Sequence, residues 1–176
     1  MNDISRITLE NLKVNKTLSE ETLSYTATVC LDGVPLMDAR NHGHGAADDL
    51  WPRADVPAEK IGELRQLAKA LFLEDPTPFA REDIEVKGGG IDLSYIDPLE
   101  IIIHRVIDNI EEEKQLKRWC RTRVVFRLKG DPVGKLRSLK LRKGREALSA
   151  EDVARGRKVI VEKYGDQVEE VLNYRY

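Results

Sequence analysis

The sequence predicts a single α+β domain over residues 1–176, with helices packed on one face of an antiparallel sheet. Alternating apolar and polar residues indicate the strands of an N-terminal meander and of a later hairpin. Apolar residues spaced three or four positions apart indicate amphipathic helices. The chain of 176 residues has the length of one ordinary domain. No stretch rich in Pro, Gly or Ser divides it.

The N-terminal third predicts a meander with strands near residues 5–14, 22–31 and 34–41. Apolar and polar residues alternate strictly over residues 23–31, which is typical of a half-buried strand. Asp32 and Gly33 predict a hairpin turn, because glycine accepts the positive φ that such a turn requires. In the first strand the alternation slips by one residue at Asn11, which predicts a β-bulge.

Helices are predicted near residues 57–73, 97–119, 149–164 and 166–173. The clearest helix start is at Asp97, which can cap free backbone amides. Pro98 then suits the first helical position, and Glu100 has the spacing of a capping box. Ser149 begins another capped helix that Gly165 ends. Residues 84–86 and 91–93 flank three glycines and predict either a weak hairpin or a flexible loop.

Residues 122–129 and 136–142 predict a second hairpin, with an apolar inner side and a basic outer side. The apolar residues that share the inner side are Val124, Phe126, Leu128, Leu139 and Leu141. The basic residues on the outer side are Arg123, Arg127, Lys129, Lys140 and Arg142.

The net charge is only −2, but acidic and basic residues are distributed very unevenly along the chain. Residues 1–113 carry 11 Lys and Arg against 23 Asp and Glu, whereas residues 114–145 carry 13 Lys and Arg against Asp131 alone. A basic segment of this kind predicts a polyanionic partner such as nucleic acid. The alternative is that the segment pairs with the acidic part of its own chain or of a second subunit.

The residues predicted to bind a polyanion come from the basic hairpin and the helix before it. They are Lys117, Arg118, Trp119, Arg123, Arg127, Lys129, Lys140 and Arg142. A β-ribbon can enter a groove, and an aromatic ring beside arginine can stack on an unpaired base. The predicted last helix is acidic and would repel a phosphate backbone, so a helix-turn-helix is not predicted.

The segment that most suggests a metal site holds His42 and His44, followed by Asp48 and Asp49. Two histidines and a carboxylate can together bind zinc, but neither aspartate stands at a spacing from the histidines that is diagnostic of a third ligand. We therefore expect a glycine-rich loop that binds no structural metal, and no cofactor is predicted. His104, on the long helix, is expected to be a hydrogen-bonded histidine at the edge of the apolar stripe.

The two cysteines, Cys30 and Cys120, exclude a disulfide scaffold and a four-cysteine zinc site. Cationic neighbours should lower the pKa of Cys120 and give a reactive thiol. His104 cannot act as its base, because a straight helix separates the two residues by about 24 Å. Cys30 lies in a predicted strand and is expected to be structural. No set of catalytic residues is evident, which leaves enzymatic activity open.

The sequence thus predicts a non-enzymatic binding module whose basic hairpin, residues 122–142, contacts a polyanion such as nucleic acid. A self-associating interaction module, forming a homo-oligomer or part of a larger complex, is the alternative. A metal-dependent hydrolase centred on His42 and His44 ranks third.

The longest apolar run is residues 70–73, far shorter than a membrane helix, and the N-terminus lacks a basic segment followed by an apolar one. The sequence therefore predicts a cytoplasmic protein with no membrane partner. Residues 41–45 and 118–131 resemble segments of small bacterial or phage-borne proteins, without indicating a family.

Overall fold

The computed structural model describes residues 3–75, 86–87, 90–91, 97–132, 134–141 and 146–175. The chain forms two compact units, Met1–Asn109 (unit 1) and Ile110–Tyr176 (unit 2). Both contain antiparallel strands and helix, which confirms the predicted α+β class. The single domain over residues 1–176 stays a prediction. None of the described helices is long and apolar enough to cross a membrane.

Unit 1 is built on a four-stranded antiparallel meander. Its strands, in spatial order, are β1 (Ile7–Val14), β2 (Tyr25–Leu31), β3 (Val34–Asn41) and β4 (Asp49–Pro52). The first three confirm the prediction, and β4 adds a strand that was not predicted. The bulge is confirmed, because Asn11 has a φ of 52° and the pairing of β1 with β2 shifts between Glu10 and Lys13. Asp32 and Gly33 form the predicted turn with φ of 51° and 78°.

Two helices contribute to unit 1, α1 (Ala58–Glu74) and the first part of α2 (Pro98–Thr122). Helix α1 contacts β3, and its buried face is Leu64, Leu67, Ala68, Leu71 and Phe72. The apolar stripe of α2 within unit 1 is also buried, and comprises Leu99, Ile102, Ile103, Val106 and Ile107. The Asp97 cap is confirmed, since its Oδ1 accepts a 3.0 Å hydrogen bond from the Leu99 amide.

Two short strands, β5 (Val86–Lys87) and β6 (Gly90–Ile91), pair antiparallel. The sequence predicted either a weak hairpin or a flexible loop, and this pairing confirms the hairpin. Residues 84, 85, 92 and 93 of the predicted segments lie outside the described residues.

Unit 2 contains a three-stranded antiparallel sheet and helix α3 (Ala150–Tyr164). In spatial order the strands are β8 (Arg137–Leu139), β7 (Val124–Leu128) and β9 (Val168–Val171). The predicted hairpin and its apolar side are confirmed. Val124, Phe126 and Leu128 form a buried cluster with Ile160 and Val171, against which Leu139 and Leu141 also pack. Ser149 and Asp152 cap α3 with a reciprocal capping box.

The helix predicted near residues 166–173 is wrong. Strand β9 occupies Val168–Val171, between 3₁₀ turns at Gly165–Gln167 and Leu172–Arg175. The spacing of Val168, Val171 and Leu172 suits a helix, but it suits a strand followed by a turn equally well. Pairing of β9 with β7, about 40 residues earlier in the chain, decides between them.

Candidate functional site

Three of the predicted basic residues, Arg118, Arg123 and Lys140, lie where α2 ends and the β7–β8 hairpin begins. The Arg123 amide still donates to the Trp119 carbonyl at 2.9 Å, so β7 follows the helix directly. Val124 pairs with Leu139 in the hairpin, which places Arg123 opposite Lys140 at the strand ends. Arg118 and Arg121 precede this point on the last turns of α2. We name Arg118, Arg121, Arg123 and Lys140 the helix-end basic group.

Asn173 fixes this helix–strand junction. Its Nδ2 donates to the carbonyl oxygens of Cys120 and Arg123 at 2.7 and 2.8 Å. Its Oδ1 accepts a 2.7 Å hydrogen bond from the Val125 amide. One side chain therefore satisfies three backbone groups at the end of the helix and start of the strand, which holds the basic residues there in a defined geometry.

The helix-end basic group is not neutralised within the described part of the chain. None of its four side chains makes an ion pair with a carboxylate of a described residue. Arg118, Arg121 and Lys140 are exposed, and Arg123 is half-buried. Some other cations of unit 2 are paired: Lys117 lies 2.9 Å from Glu113, and Arg137 lies 2.7 Å from Asp131. Asp131 belongs to the basic segment itself, whereas Glu111 and Glu113, the partners of Lys114 and Lys117, belong to the acidic segment 1–113. The alternative, in which the basic segment pairs with the acidic part of its own chain, therefore holds for Lys114 and Lys117.

Arg127, in β7, and Lys129, just after it, lie in more acidic surroundings. The five residues of β7 separate Lys129 from Arg123, a distance of about 20 Å along the extended chain. Lys129 lines a groove of about 690 Å³ together with Asp166, Glu169 and Glu170. Arg127 stands opposite Glu170 in the pairing of β7 with β9, and its Nε is buried without a hydrogen-bond partner in the described structure. Arg142 lies outside the described residues.

The outer side of the hairpin is not uniformly basic, which corrects the predicted pattern. Val125, between Arg123 and Arg127, is fully buried and packs with Cys120 and Leu172. Trp119 and Leu136 pack against the same cluster, so Trp119 is half-buried. Strict alternation fails here because the end of α2 and the last 3₁₀ turn supply a second apolar surface.

Cys120 is a buried thiol and not the reactive one that its basic neighbours suggested. Burial raises its pKa, so the predicted lowering is wrong. The nearby cations belong to side chains that do not stabilise the thiolate, because the sulfur lies inside the Val125 cluster. Cys30 is likewise buried, in β2, and burial raises its pKa too.

His42 and His44 lie on an exposed loop and do not converge with Asp48. His42 Nε2 lies 3.8 Å from Asp49, and His44 Nδ1 lies 3.3 Å from Glu20. The loop glycine between them serves packing: a Cβ on Gly43 would lie 2.0 Å from the Leu18 carbonyl oxygen. The Gly43 carbonyl also accepts hydrogen bonds from the amides of residues 20 and 21, each at 3.0 Å.

Asp48 is the centre of a polar cluster in unit 1 that was not predicted. Its side chain is fully buried, and its Oδ1 accepts a 2.8 Å hydrogen bond from Asn41 Nδ2. Its Oδ2 accepts a hydrogen bond from the Tyr25 hydroxyl and lies 3.2 Å from His104 Nε2. The Asp48 amide donates to Glu100 Oε1 at 3.2 Å. The hydrogen bond expected for His104 is thereby confirmed.

The cluster perturbs the protonation of its members. Burial raises the pKa of Glu100, and the neighbouring Asp48 carboxylate raises it further. Burial acts to lower the pKa of His104, but the hydrogen bond and negative charge of Asp48 outweigh it, so the pKa is raised. Burial and the hydrogen bond to Asp48 also raise the pKa of Tyr25.

The sequence holds one clue to this cluster. Glu100 and His104 are four residues apart on a helix, which places both on the same face. Asp48 lies more than 50 residues earlier and, in sequence, stands beside two other histidines. Only the folded structure of unit 1 shows that its partner is His104.

No protein-family model, curated protein or solved structure matches this chain. The described residues form an α+β fold, with a basic helix–strand junction in unit 2 and a buried His–carboxylate cluster in unit 1.

Proposed function

We propose that this chain is a non-enzymatic binding module and that the helix-end basic group contacts a polyanion such as nucleic acid. The observation that carries the proposal is that its four cationic side chains have no carboxylate partner among the described residues. Neighbouring unpaired cations repel one another, and a phosphate backbone offsets that repulsion while releasing its own counterions.

The contact is expected to supply affinity and position with little sequence preference. Arginine and lysine at the helix end and the strand ends suit phosphate oxygens, whereas base discrimination requires donors and acceptors placed in a groove. Trp119 is half-buried against Cys120, so its replacement would disturb the fold as well as any stacking on a base. Substitution of the four basic residues therefore tests the contact more specifically than substitution of Trp119 does.

The test is a fluorescence anisotropy titration of a labelled DNA duplex at low salt. The wild-type chain is compared with the variant that carries alanine at the helix-end basic group. Loss of four phosphate contacts should weaken binding at least about 100-fold, because each contact contributes counterion release. The proposal fails if the wild type does not bind or if the variant binds equally well.

The matched control is a variant that loses the same number of positive charges, four, from unit 1. Its four substitutions to alanine are at the exposed residues Lys13, Arg53, Lys60 and Lys69. The control variant should keep nearly all of the wild-type affinity. Equal losses in both variants would mean that net charge and not this surface governs binding, which would contradict the proposal.

Self-association is the second candidate function. It is favoured by exposed apolar side chains in unit 2, of which Val161 is 44% and Tyr174 is 60% exposed. Both line the groove that also holds Lys129. Exposed apolar residues around a groove are typical of protein contact sites.

A further inference from the structure

We propose that unit 1 binds one divalent transition-metal ion of the Zn²⁺ or Mn²⁺ type through Asp48, Glu100 and His104. One potential ligand atom from each of these residues lies within 4.8 Å of the other two. This site is separate in sequence and chemistry from the proposed polyanion contact, and neither His42 nor His44 belongs to it.

The distances suit shared coordination. Metal–ligand distances of about 2.0–2.2 Å at tetrahedral or octahedral angles place neighbouring ligand atoms about 3.0–3.5 Å apart. Asp48 Oδ2 and His104 Nε2 are already separated by 3.2 Å. Glu100 lies on the same helix face as His104, one turn earlier. An ion therefore requires only a small movement of side chains.

Glu100 has one carboxylate oxygen that the hydrogen bonds of the cluster do not use. Its capping-box spacing would direct it to the Asp97 amide, yet Oε1 accepts the Asp48 amide instead. Its Oε2 has no hydrogen-bond partner among the described residues. A half-buried carboxylate oxygen is thus left available beside the Asp48–His104 pair.

The electrostatic balance of the cluster favours a cation. Two carboxylates face one histidine, and no described lysine or arginine makes an ion pair with Asp48 or Glu100. The carboxylates of Asp97 and Asp108 add to the negative potential, the first acting on Glu100 and the second on His104. Burying uncompensated negative charge is costly, and a divalent ion would offset it.

A supporting shell already orients the central ligand. Asn41 and Tyr25, both almost fully buried on neighbouring strands, donate hydrogen bonds to the two oxygens of Asp48. Partners of this kind fix ligand orientation and raise metal affinity. The donor set of one imidazole and two carboxylates suits Zn²⁺ or Mn²⁺, whereas Mg²⁺ prefers oxygen ligands alone.

The test is calorimetric titration of the full chain, purified without a histidine tag and treated with chelator, with Zn²⁺ alone. We expect one Zn²⁺ per chain. The Glu100→Gln variant should bind at least about 100-fold more weakly, because a ligand contributes more than the 10- to 100-fold of its supporting partners. Glutamine keeps an oxygen that can accept the Asp48 amide, so circular dichroism should show an unchanged fold.

The control is the double variant His42→Ala, His44→Ala, which removes two exposed histidines that could bind zinc at the surface. It should retain the wild-type affinity and stoichiometry. A second variant, His104→Gln, should lose binding as Glu100→Gln does. Absence of binding in the wild type, unchanged binding in Glu100→Gln, or loss in the double variant would each overturn the site.

Discussion

Asp131 is a half-buried residue whose carboxyl group is changed by one neighbour. Arg137 donates two hydrogen bonds to it, at 2.7 and 2.8 Å, and holds the pKa of Asp131 at about 2. Asp131 is the only acidic residue of segment 114–145, and this pairing takes Arg137 out of the free basic surface.

Replacing Arg137 with Gln should return the pKa of Asp131 towards its ordinary value of 3.8. Because the folded pKa is lowered, the pairing stabilises the fold above the unfolded value and is lost as pH falls through about 2. An NMR titration of the Asp131 carboxyl carbon measures this. Lys135→Gln is the control and should change the pKa less, since Lys135 lies 3.6 Å away. An unchanged pKa in Arg137→Gln would contradict the pairing.

Gly43 is a second residue whose neighbours fix its identity. Gly43→Ala should destabilise unit 1 by at least about 2 kcal/mol, because a positive φ of 89° is strained for alanine and its Cβ would overlap the Leu18 carbonyl. Urea unfolding measures the change. Gly33→Ala, with φ of 78° and open space around it, should cost only about 1 kcal/mol. Equal effects of the two substitutions would show that the Leu18 contact is unimportant.

At the scale of elements, Gly156 allows α3 to approach β7 closely. A Cβ at this position would lie 2.6 Å from the Val124 Cγ2. Gly156→Ala should therefore destabilise unit 2 by about 1–3 kcal/mol, despite the better helix propensity of alanine. Adding Val124→Ala should recover part of that loss, which a double-mutant cycle of unfolding free energies measures.

The helix α1 supplies the matched control for this prediction. Gly62 is also within a helix, but nothing lies within 4 Å of the position of its Cβ. Gly62→Ala should stabilise the protein by about 0.5–1 kcal/mol through helix propensity alone. Stabilisation by both substitutions would show that α3 does not pack tightly on β7.

Elements with a sustained period were predictable from sequence, and those fixed by distant pairing were not. Strands β1, β2 and β3 and the helices α1, α2 and α3 follow clear patterns of apolar residues. Strand β4 has only four residues and ends in Pro52, and β9 has four residues whose spacing also suits a helix. Both are strands because of their partners, β3 and β7.

The candidate sites also have features that were predictable from sequence and features that were not. The basic segment was evident from composition, because charge is a property of the residues themselves. The sequence did not show which of these basic residues lie at the helix end and which lie beside the acidic groove, because that depends on strand register. The Asp48 cluster joins residues 25, 41, 48, 100 and 104, and local spacing relates only Glu100 to His104.

At the scale of the whole molecule, the two units carry opposite charge. Unit 1 has 11 Lys and Arg against 20 Asp and Glu, and unit 2 has 18 against 11. Contact with a polyanion is therefore expected through unit 2 alone. Unlike charges on two units could also drive association between chains, which salt would weaken.

Light scattering after size-exclusion chromatography separates these possibilities. If the basic surface serves a polyanion, the chain should have the mass of a monomer at low and at moderate salt, over a range of protein concentrations. An oligomer that grows with concentration and dissociates with added salt would favour the interaction module instead.

The salt dependence of DNA binding is the sharpest test of whether the helix-end basic group contacts a polyanion. Four phosphate contacts predict a slope of roughly −3 to −4 in a plot of log K against log salt concentration. Each single alanine substitution at Arg118, Arg121, Arg123 or Lys140 should flatten the slope by about one unit. A slope that the four substitutions leave unchanged would contradict the assignment of this surface.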